Sequence, residues 1–341
     1  MRKLILHSVL MLVLFTACGK KGSNNVEEKF DYNVERFADL QILRYQVPGF
    51  DGLTLDQKKL VYYLSEAAQS GRDILYDQNG KFNLTIRRTL EAIYTNYKGD
   101  KKSDDFKALE VYLKRVWFSN GIHHHYGMEK FEPAFSESFF KDALLSIDSS
   151  LLPIDSGSVE DLYSTLSPII FDASVKPKRV NQADGVDLIT TSACNYYQGV
   201  TQAEAEAFYD GKKDVNDKTP PSYGLNSRLV KEDGSLQEKV WKVGGLYSQS
   251  IEKVVYWLEK AMEVAENEKQ KAVIGKLIEF YNTGDLRTYD DYSILWVHDL
   301  DSRVDFVNGF TETYGDPLGL KASWESIVNF KDVEATRRTE L

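Results

Sequence analysis

The chain has 341 residues, of which 42% are hydrophobic, so it can bury one large core or two small ones. Its formal net charge is −10, and no run of basic residues is longer than a pair. We therefore expect no nucleic-acid partner, because proteins that bind nucleic acids normally present a basic face.

The N-terminus has the pattern of a bacterial targeting signal. Arg2 and Lys3 form a charged start, and Leu4–Phe15 is an apolar run that is too short to span a bilayer comfortably. Residues 16–18, TAC, then place a cysteine directly after small residues. The pattern predicts a lipoprotein signal, and an ordinary signal peptide with an incidental cysteine is the alternative.

The predicted signal peptide covers residues 1–17. Lipid on Cys18 would anchor the protein to a membrane of the cell envelope, and residues 18–28 would form a flexible tether. Cys194 is the only other cysteine, so it has no partner for an intrachain disulfide. Its segment, DLITTSACNYY, is apolar at the start and has no histidine nearby, which favours a buried inert thiol over a catalytic one.

Apolar residues recur at helical spacing from Leu53 to Phe118. Thr54 and Gln57 have the spacing of a capping box, and the first helical run extends to Leu75. Further helices are predicted at these ranges: Ser136–Ser146, Val159–Leu166, Gln249–Ala265, Glu268–Tyr281 and Val328–Leu341. The last range has no glycine or proline stop, which suggests a truncated chain, and fraying at a true terminus is the alternative.

The middle of the chain favours strands. Residues 186–200 are rich in β-branched and aromatic types, and Leu40–Val47 is a second candidate. Leu225–Val230 and Leu236–Val243 flank Asp233-Gly234, which is a strong hairpin signal. We expect these strands to join in a small sheet or barrel.

A polar motif follows near the C-terminus, in residues 305–319, DFVNGFTETYGDPLG. If this segment is extended, Glu312 and Tyr314 point to one face, because side chains alternate along a strand. A carboxylate beside a phenol suits a cation with a neighbouring amide, such as the amino end of a peptide. A surface turn is the alternative.

Four segments together resemble a known family: YYLSEAAQSGRDILYDQ at 62–78, SNGIHHHYGMEKFEP at 119–133, NYYQGVTQAEAEAFY at 195–209, and DFVNGFTETYGDPLG at 305–319. They resemble the dipeptidyl-peptidase III family, zinc exopeptidases that remove dipeptides from peptide N-termini. The resemblance implies a lower lobe with a five-stranded β-barrel and an upper helical lobe with zinc, and the peptide lies between them.

The fold class expected is therefore α+β, mostly helical with a small five-stranded barrel-like core. The incomplete lower lobe would cover residues 29–341. Its helical part would lie at about 50–175, and its barrel-containing part at about 176–341.

The resemblance also implies roles for individual residues. Glu312 matches the family's glutamate for the substrate ammonium, and Tyr314 matches a tyrosine that orients the peptide backbone in the transition state. Glu325 matches a second ammonium-binding glutamate. Tyr126 falls where an aromatic lines the substrate pocket, and His123, in the same loop, is assigned to substrate binding.

One departure from the family concerns zinc. The family's metal comes from a helix bearing His-Glu-x-x-x-His and from a glutamate of a later helix. None of the five histidines in this chain precedes a glutamate. We therefore expect zinc as the cofactor of the full-length family but no zinc bound by this chain, and no hydrolysis by this chain alone.

The histidines have other readings. His123, His124 and His125 are adjacent, and three adjacent side chains rarely converge on one ion, so a cleft-lining loop is favoured over a metal site. His298 is expected to be a hydrogen-bonded core histidine rather than a base. His7 lies in the predicted signal peptide.

The function expected is that of the substrate-amine-binding lobe of a dipeptidyl-peptidase III-like enzyme, with oligopeptides as substrates and the missing zinc-binding lobe as partner. A non-catalytic peptide-binding envelope lipoprotein is the alternative. A purely structural envelope protein with a vestigial cleft is a third reading.

The signal at residues 16–18 leads to a test. Cys18→Ser should abolish lipid labelling and release the protein from membranes, because stable anchoring requires the several acyl chains that lipoprotein processing adds. Radiolabelled fatty-acid incorporation and membrane fractionation measure both effects. A serine variant that stays on membranes after a salt wash would contradict the lipoprotein prediction.

Overall fold

The computed structural model describes residues 30–339, so the predicted signal peptide, Cys18 and the whole predicted tether (residues 18–28) lie outside the described residues. The described chain falls into two compact units, divided between Gln46 and Val47. Within it, no helix is both long and apolar enough to cross a bilayer.

The first unit contains a hairpin of β1 (Asn33–Phe37) and β2 (Leu40–Leu43), which pair antiparallel. The strand predicted within Leu40–Val47 is therefore confirmed at its start. Among the described strands, β2 pairs with β1 alone, so the expectation that it joins the later strands in one sheet is wrong.

The second unit is mostly helical. Its helices are α1 (Leu55–Ser70), α2 (Arg72–Asn79), α3 (Asn83–Asn96), α4 (Asp104–Ser119), α5 (Glu137–Leu145), α6 (Val159–Phe171), α7 (Leu188–Thr191), α8 (Gln202–Asp210), α9 (Ser248–Glu263), α10 (Glu268–Thr283), α11 (Leu286–His298) and α12 (Val333–Thr339). A short 3-10 turn lies at Ser149–Leu151.

Five strands accompany these helices: β3 (Tyr197–Gln198), β4 (Ser227–Glu232), β5 (Ser235–Val240), β6 (Val304–Glu312) and β7 (Ser323–Phe330). β4 pairs parallel with β3 and antiparallel with β5, and β6 and β7 form a separate antiparallel pair. The fold is thus α+β and mostly helical. None of the described sheets closes into a barrel, so the barrel-like core is not confirmed.

Local signals explain most of these elements. The capping box is confirmed, since the Gln57 N–H donates to Thr54 Oγ1 at 3.2 Å and the Thr54 N–H donates to Gln57 Oε1 at 2.9 Å. The predicted hairpin is also confirmed. Asp233 and Gly234 have φ of 49° and 79°, as a type I′ turn requires.

Two predictions from the sequence are wrong. Residues 186–200 contain only the two-residue strand β3, and Asp187 starts α7 there by accepting the N–H groups of Ile189 and Thr190. The helix predicted at Val328–Leu341 begins only at Val333. Its first residues belong to β7, and the Asp332 carboxylate caps α12 instead. Helix α11 was not predicted.

Two hydrophobic cores organise the second unit. The helical core consists of buried side chains from α3 to α6 and their loops, including Ile86, Leu113 and Phe140. The mixed core joins α1, α9, α10 and the strands β4, β6 and β7. α2 contributes Ile74 to the mixed core and Tyr76 to the helical core, so it links the two. The predicted domain limits at 29, 175 and 176 stay predictions.

The junction between α1 and α2 fits closely over β7. The single helical run predicted from Leu60 to Leu75 is interrupted at Gly71. A Cβ on Gly71 would lie 1.9 Å from Cε2 of Trp324, so only glycine allows the indole to reach the helix backbone. Nearby, the buried Gln78 amide donates to the Ala322 carbonyl at 3.1 Å and accepts from the Trp324 N–H at 2.8 Å. These contacts fix the start of β7 on α2.

Gly71→Ala should therefore lower the free energy of unfolding by about 1–3 kcal/mol, as overpacking of a well-packed contact does. Gly275→Ala is the matched control. Its new Cβ would meet nothing nearer than Met262 Sδ at 3.6 Å, and an alanine inside α10 should stabilise the helix by up to about 1 kcal/mol. Urea unfolding of both variants measures the difference. Equal stability of the two variants would contradict the close Gly71–Trp324 contact.

Candidate functional site

A cleft of about 870 Å³ opens beside the β6–β7 hairpin. Residues 323–327 of β7 form one wall, and the loop containing His125 and Tyr126 contributes to another. The cleft brings together three of the predicted site residues, Tyr126, Tyr314 and Glu325.

Glu325 faces this cleft because β7 alternates. Trp324 points into the mixed core and is 3% exposed, while the neighbouring Glu325 lies half-buried on the other face. Three hydroxyls donate to its carboxylate: Thr311 at 3.2 Å, and Tyr314 and Ser323 at 3.4 Å each. Thr311 reaches Glu325 from an irregularity in the β6–β7 register between Phe310 and Glu312.

The charge of Glu325 has no cationic partner in the part of the chain that the structure describes. The carboxylate forms no ion pair with a lysine or arginine anywhere in residues 30–339. Burial raises the pKa of Glu325, and the nearby Glu312 carboxylate raises this pKa further, although the three hydroxyls oppose the shift. A half-buried carboxylate of this kind is a site for a ligand cation.

Tyr314 reaches Glu325 by a turn and not along a strand. β6 ends at Glu312, so the alternation expected for an extended segment stops before Tyr314. The Tyr314 side chain is 63% exposed, which leaves its ring open to the cleft. Partial burial and Glu325 raise the pKa of its hydroxyl, while the charge of Arg179 acts in the opposite direction.

Glu312 and His123 are placed differently. Glu312 is exposed at the end of β6, close enough to influence the pKa of Glu325 but not among the residues lining the cleft. His123 is 3% exposed, and its Nε2 lies 2.9 Å from the Lys176 carbonyl oxygen. Burial lowers the pKa of His123 to about 4, so the ring is neutral at pH 7 and donates to this carbonyl.

The other two histidines of the triplet shape the loop. His124 Nδ1 accepts the N–H groups of Tyr126 at 3.1 Å and Gly127 at 2.9 Å, which holds the loop tip, and His125 lines the cleft. The three adjacent histidines therefore occupy three different environments. The described part of the chain contains no group of three or more histidine, cysteine, aspartate or glutamate residues that could hold a metal ion.

A buried turn connects Tyr314 to β7. Asp316 is 2% exposed, and its Oδ2 accepts the N–H groups of Leu320 at 2.8 Å and Lys321 at 2.9 Å and the Tyr197 hydroxyl at 2.9 Å. Burial raises the pKa of Asp316, although these hydrogen bonds oppose the shift. The carboxylate thus closes the segment that follows Tyr314.

Lys321 is fully buried at the end of this turn. Its Nζ donates to the Tyr209 hydroxyl and to the Gly224 carbonyl, and it lies 5.2 Å from the ring centroid of Tyr197. Burial lowers the pKa of Lys321 to about 7, while the Asp316 charge opposes this shift.

Sequence reasoning missed four residues that shape the site: Gln78, Arg179, Asp316 and Lys321. Gln78 and Asp316 lie inside the segments 62–78 and 305–319, but nothing local marked their buried contacts.

Two other predictions from the sequence, on Cys194 and His298, can be compared directly with the structure. Cys194 is buried, and burial raises the pKa of its thiol, as expected for an inert cysteine. His298 is exposed, with Nδ1 2.7 Å from the Ile294 carbonyl oxygen, so its assignment to the core is wrong.

Residues 223–341 match peptidase family M49. The chain is 24% identical to dipeptidyl peptidase 3 of Nematostella vectensis over 89% of its length, and 24% identical to human dipeptidyl peptidase 3 over 82%. These matches support membership of the dipeptidyl-peptidase III family.

Solved structures agree on the fold. Dipeptidyl-peptidase III from Caldithrix abyssi superposes on 87% of this chain with a TM-score of 0.56 and 18% identity, and the enzyme from Corallococcus sp. strain EGB does so on 86% with a TM-score of 0.54 and 17% identity. This chain covers 43% and 42% of those structures. It likewise spans 46% and 42% of the Nematostella and human family members.

The buried lysine leads to a prediction about pH. Because the pKa of Lys321 is lower in the folded chain, at about 7, than in the unfolded chain, the unfolded chain binds more protons between about pH 7 and pH 10. This group therefore makes stability rise with pH in that window, by up to about 1.4 kcal/mol per pH unit. Lys321→Met should remove this rise, and Lys253→Met, at an exposed position of α9, should retain it.

Denaturant unfolding at several pH values measures the effect as a difference between wild type and each variant. Parallel stability profiles for wild type and Lys321→Met would show that Lys321 does not release its proton on folding.

Proposed function

We propose that this chain supplies the substrate-amine-binding lobe of a zinc-dependent exopeptidase that removes dipeptides from peptide N-termini. The observation that supports this most directly is Glu325, a half-buried carboxylate with three hydroxyl donors and no cationic partner among residues 30–339. Family membership supplies the reaction class, and the cleft supplies the contact for the substrate.

The amino end of a peptide fits the chemistry of Glu325. An ammonium group provides the missing positive charge and donates up to three hydrogen bonds, and a charge-assisted hydrogen bond is stronger than a neutral one. Glu312 adds negative charge at the rim of the same site. An N-terminal ammonium is thereby distinguished from the neutral amide of an internal peptide bond.

Tyr314 is suited to the next part of the substrate. Its hydroxyl is held beside Glu325 at 3.4 Å, and its exposed ring faces the cleft. When an ammonium takes the carboxylate, this hydroxyl becomes available to a peptide carbonyl one residue along. Glu325 and Tyr314 would thus position the amino end and the backbone of the peptide together. An enzyme that cleaves at a set number of residues from the N-terminus requires such positioning.

The described residues do not fit a zinc ion, because they contain no group of histidine, cysteine, aspartate or glutamate side chains that could hold one. Our proposal assigns the zinc ligands to a lobe outside this sequence. It also assigns β3 to β7 to the five-stranded barrel-like core. Residues from all five strands belong to or pack on one mixed core, and the Ala322 N–H just before β7 donates to the Leu225 carbonyl just before β4 at 2.9 Å.

A second candidate is a non-catalytic peptide-binding lipoprotein of the cell envelope. It is favoured by a cleft whose amine contacts need no metal, together with the cysteine at residue 18. The two functions differ in one respect: hydrolysis of a dipeptidyl arylamide on addition of a zinc lobe from the family is expected only of the enzyme.

The amine contact can be tested on the chain itself. Glu325→Gln should weaken binding of a tetrapeptide with a free amino end by about tenfold to a hundredfold, because a hydrogen bond to a charged group contributes about 1.5–3 kcal/mol. Isothermal titration calorimetry measures the affinity, with Glu259→Gln, at an exposed position of α9, as the matched control.

The N-acetylated tetrapeptide completes this design. It lacks the positive charge, so it should bind wild type weakly and should bind Glu325→Gln about equally. Equal affinity of wild type for the free and acetylated peptides would remove the basis for assigning Glu325 to the substrate amine.

A further inference from the structure

Arg179 is a cationic residue in the wall of the cleft, and the proposed amine site does not involve it. The side chain is 7% exposed and lines the cleft together with Tyr314 and Glu325. Its backbone is fixed on both sides: the Arg179 N–H donates to the Met128 carbonyl at 2.8 Å, and its carbonyl accepts from the Cys194 N–H at 3.0 Å. The guanidinium is therefore presented from a rigid position.

Most of its hydrogen-bonding capacity is unused. Nε donates to Met128 Sδ at 3.2 Å, and Nη2 donates to the His125 carbonyl at 3.2 Å. An arginine has five N–H bonds, so two of them are used and three have no acceptor among residues 30–339. Sulfur is also a weak acceptor, so neither contact offsets the positive charge.

Two other arginines with little exposure are paired, although the partly buried Arg303 forms no ion pair among residues 30–339. Arg87 is also 7% exposed, and it forms ion pairs with Asp73 at 2.8 Å and Glu91 at 3.4 Å. Arg228 is paired with Asp77. Arg179 forms no ion pair with any carboxylate in the described part of the chain, so its lack of a partner is not a general property of this fold.

Such a charge is costly in the free protein. A buried ion without a partner loses hydration that nothing replaces, and this burial lowers the pKa of Arg179. A second buried donor lies close to the same wall. The Tyr196 hydroxyl has no hydrogen-bond partner among residues 30–339, and it would lie 3.2 Å from a Cβ added to Gly315, whose backbone lines the cleft.

We propose that Arg179 binds a carboxylate of the peptide that occupies this cleft. The planar guanidinium can donate two parallel hydrogen bonds to a carboxylate, and a carboxylate would also compensate its charge. This inference rests on the proposed function, since it places the carboxylate on the same peptide whose ammonium binds Glu325. The carboxylate has two possible sources, an acidic side chain near the amino end or the C-terminus of a very short peptide.

The experiment separates these sources. Glutamate is placed in turn at the first, second and third positions of tetra-alanine amide, and each peptide is matched with its glutamine counterpart. Dialanine and trialanine with free carboxylates are compared with their amides. Calorimetry gives the affinity of each pair for wild type, Arg179→Gln, Arg179→Lys and the control Arg337→Gln, which changes an exposed arginine of α12 outside the cleft.

Wild type should prefer the carboxylate member of at least one pair by about tenfold to a hundredfold. Arg179→Gln should abolish that preference, Arg179→Lys should keep part of it, and Arg337→Gln should keep all of it. The pair that shows the preference identifies the source of the carboxylate.

The outcomes distinguish this inference from the proposed function. If wild type binds peptides through their free amino ends but prefers no carboxylate member, the role of Arg179 is overturned and the amine site stands. If a carboxylate preference depends on Arg179 but acetylation of the amino end has no effect, the amine site is overturned and Arg179 stands. Absence of any peptide binding would overturn both.

Discussion

The docking of β7 on α2 is the contact on which the cleft depends. Gly71 lets the Trp324 indole reach the helix backbone, and the Gln78 amide holds the strand through Ala322 and Trp324 as a neighbouring strand would. Because side chains alternate, seating Trp324 in the core obliges Glu325 to face outward into the cleft. A packing contact on one face of the strand therefore sets the direction of a charge on the other.

The turn before β7 is held by polar groups inside the protein. Asp316 closes the turn, and the buried Lys321 lies among the Tyr197 and Tyr209 rings. Buried ions of this kind are seldom the most stable solution, but they require partners at fixed positions and so favour one arrangement of the chain. The hydrogen bonds to Asp316 hold the turn from Asp316 to Lys321, which lies between the Tyr314 hydroxyl and the Glu325 carboxylate in the chain.

Sequence reasoning succeeded where the determining residues are neighbours in the chain. The Thr54–Gln57 cap and the Asp233-Gly234 turn act over two to four residues. Family resemblance named Glu325 and Tyr314, which line one cleft, while their roles stay predictions. Sequence reasoning failed where distant partners decide. Residues 186–200 have strand-forming side chains, yet the Asp187 cap and burial against other elements leave only β3. Arg179 and Lys321 have no local signal, since their meaning lies in which groups do or do not surround them.

The two walls of the cleft pack on different hydrophobic cores. The loop bearing Tyr126 is flanked by Ile122 and Phe131 of the helical core, whereas Glu325 follows Trp324 of the mixed core. During evolution, the wall beside Tyr126 can change its shape while the carboxylate stays in place. If the cleft binds peptides as proposed, a lineage can in this way acquire new preferences for peptide side chains without losing the contact with the amino end, because the two walls pack on different hydrophobic cores.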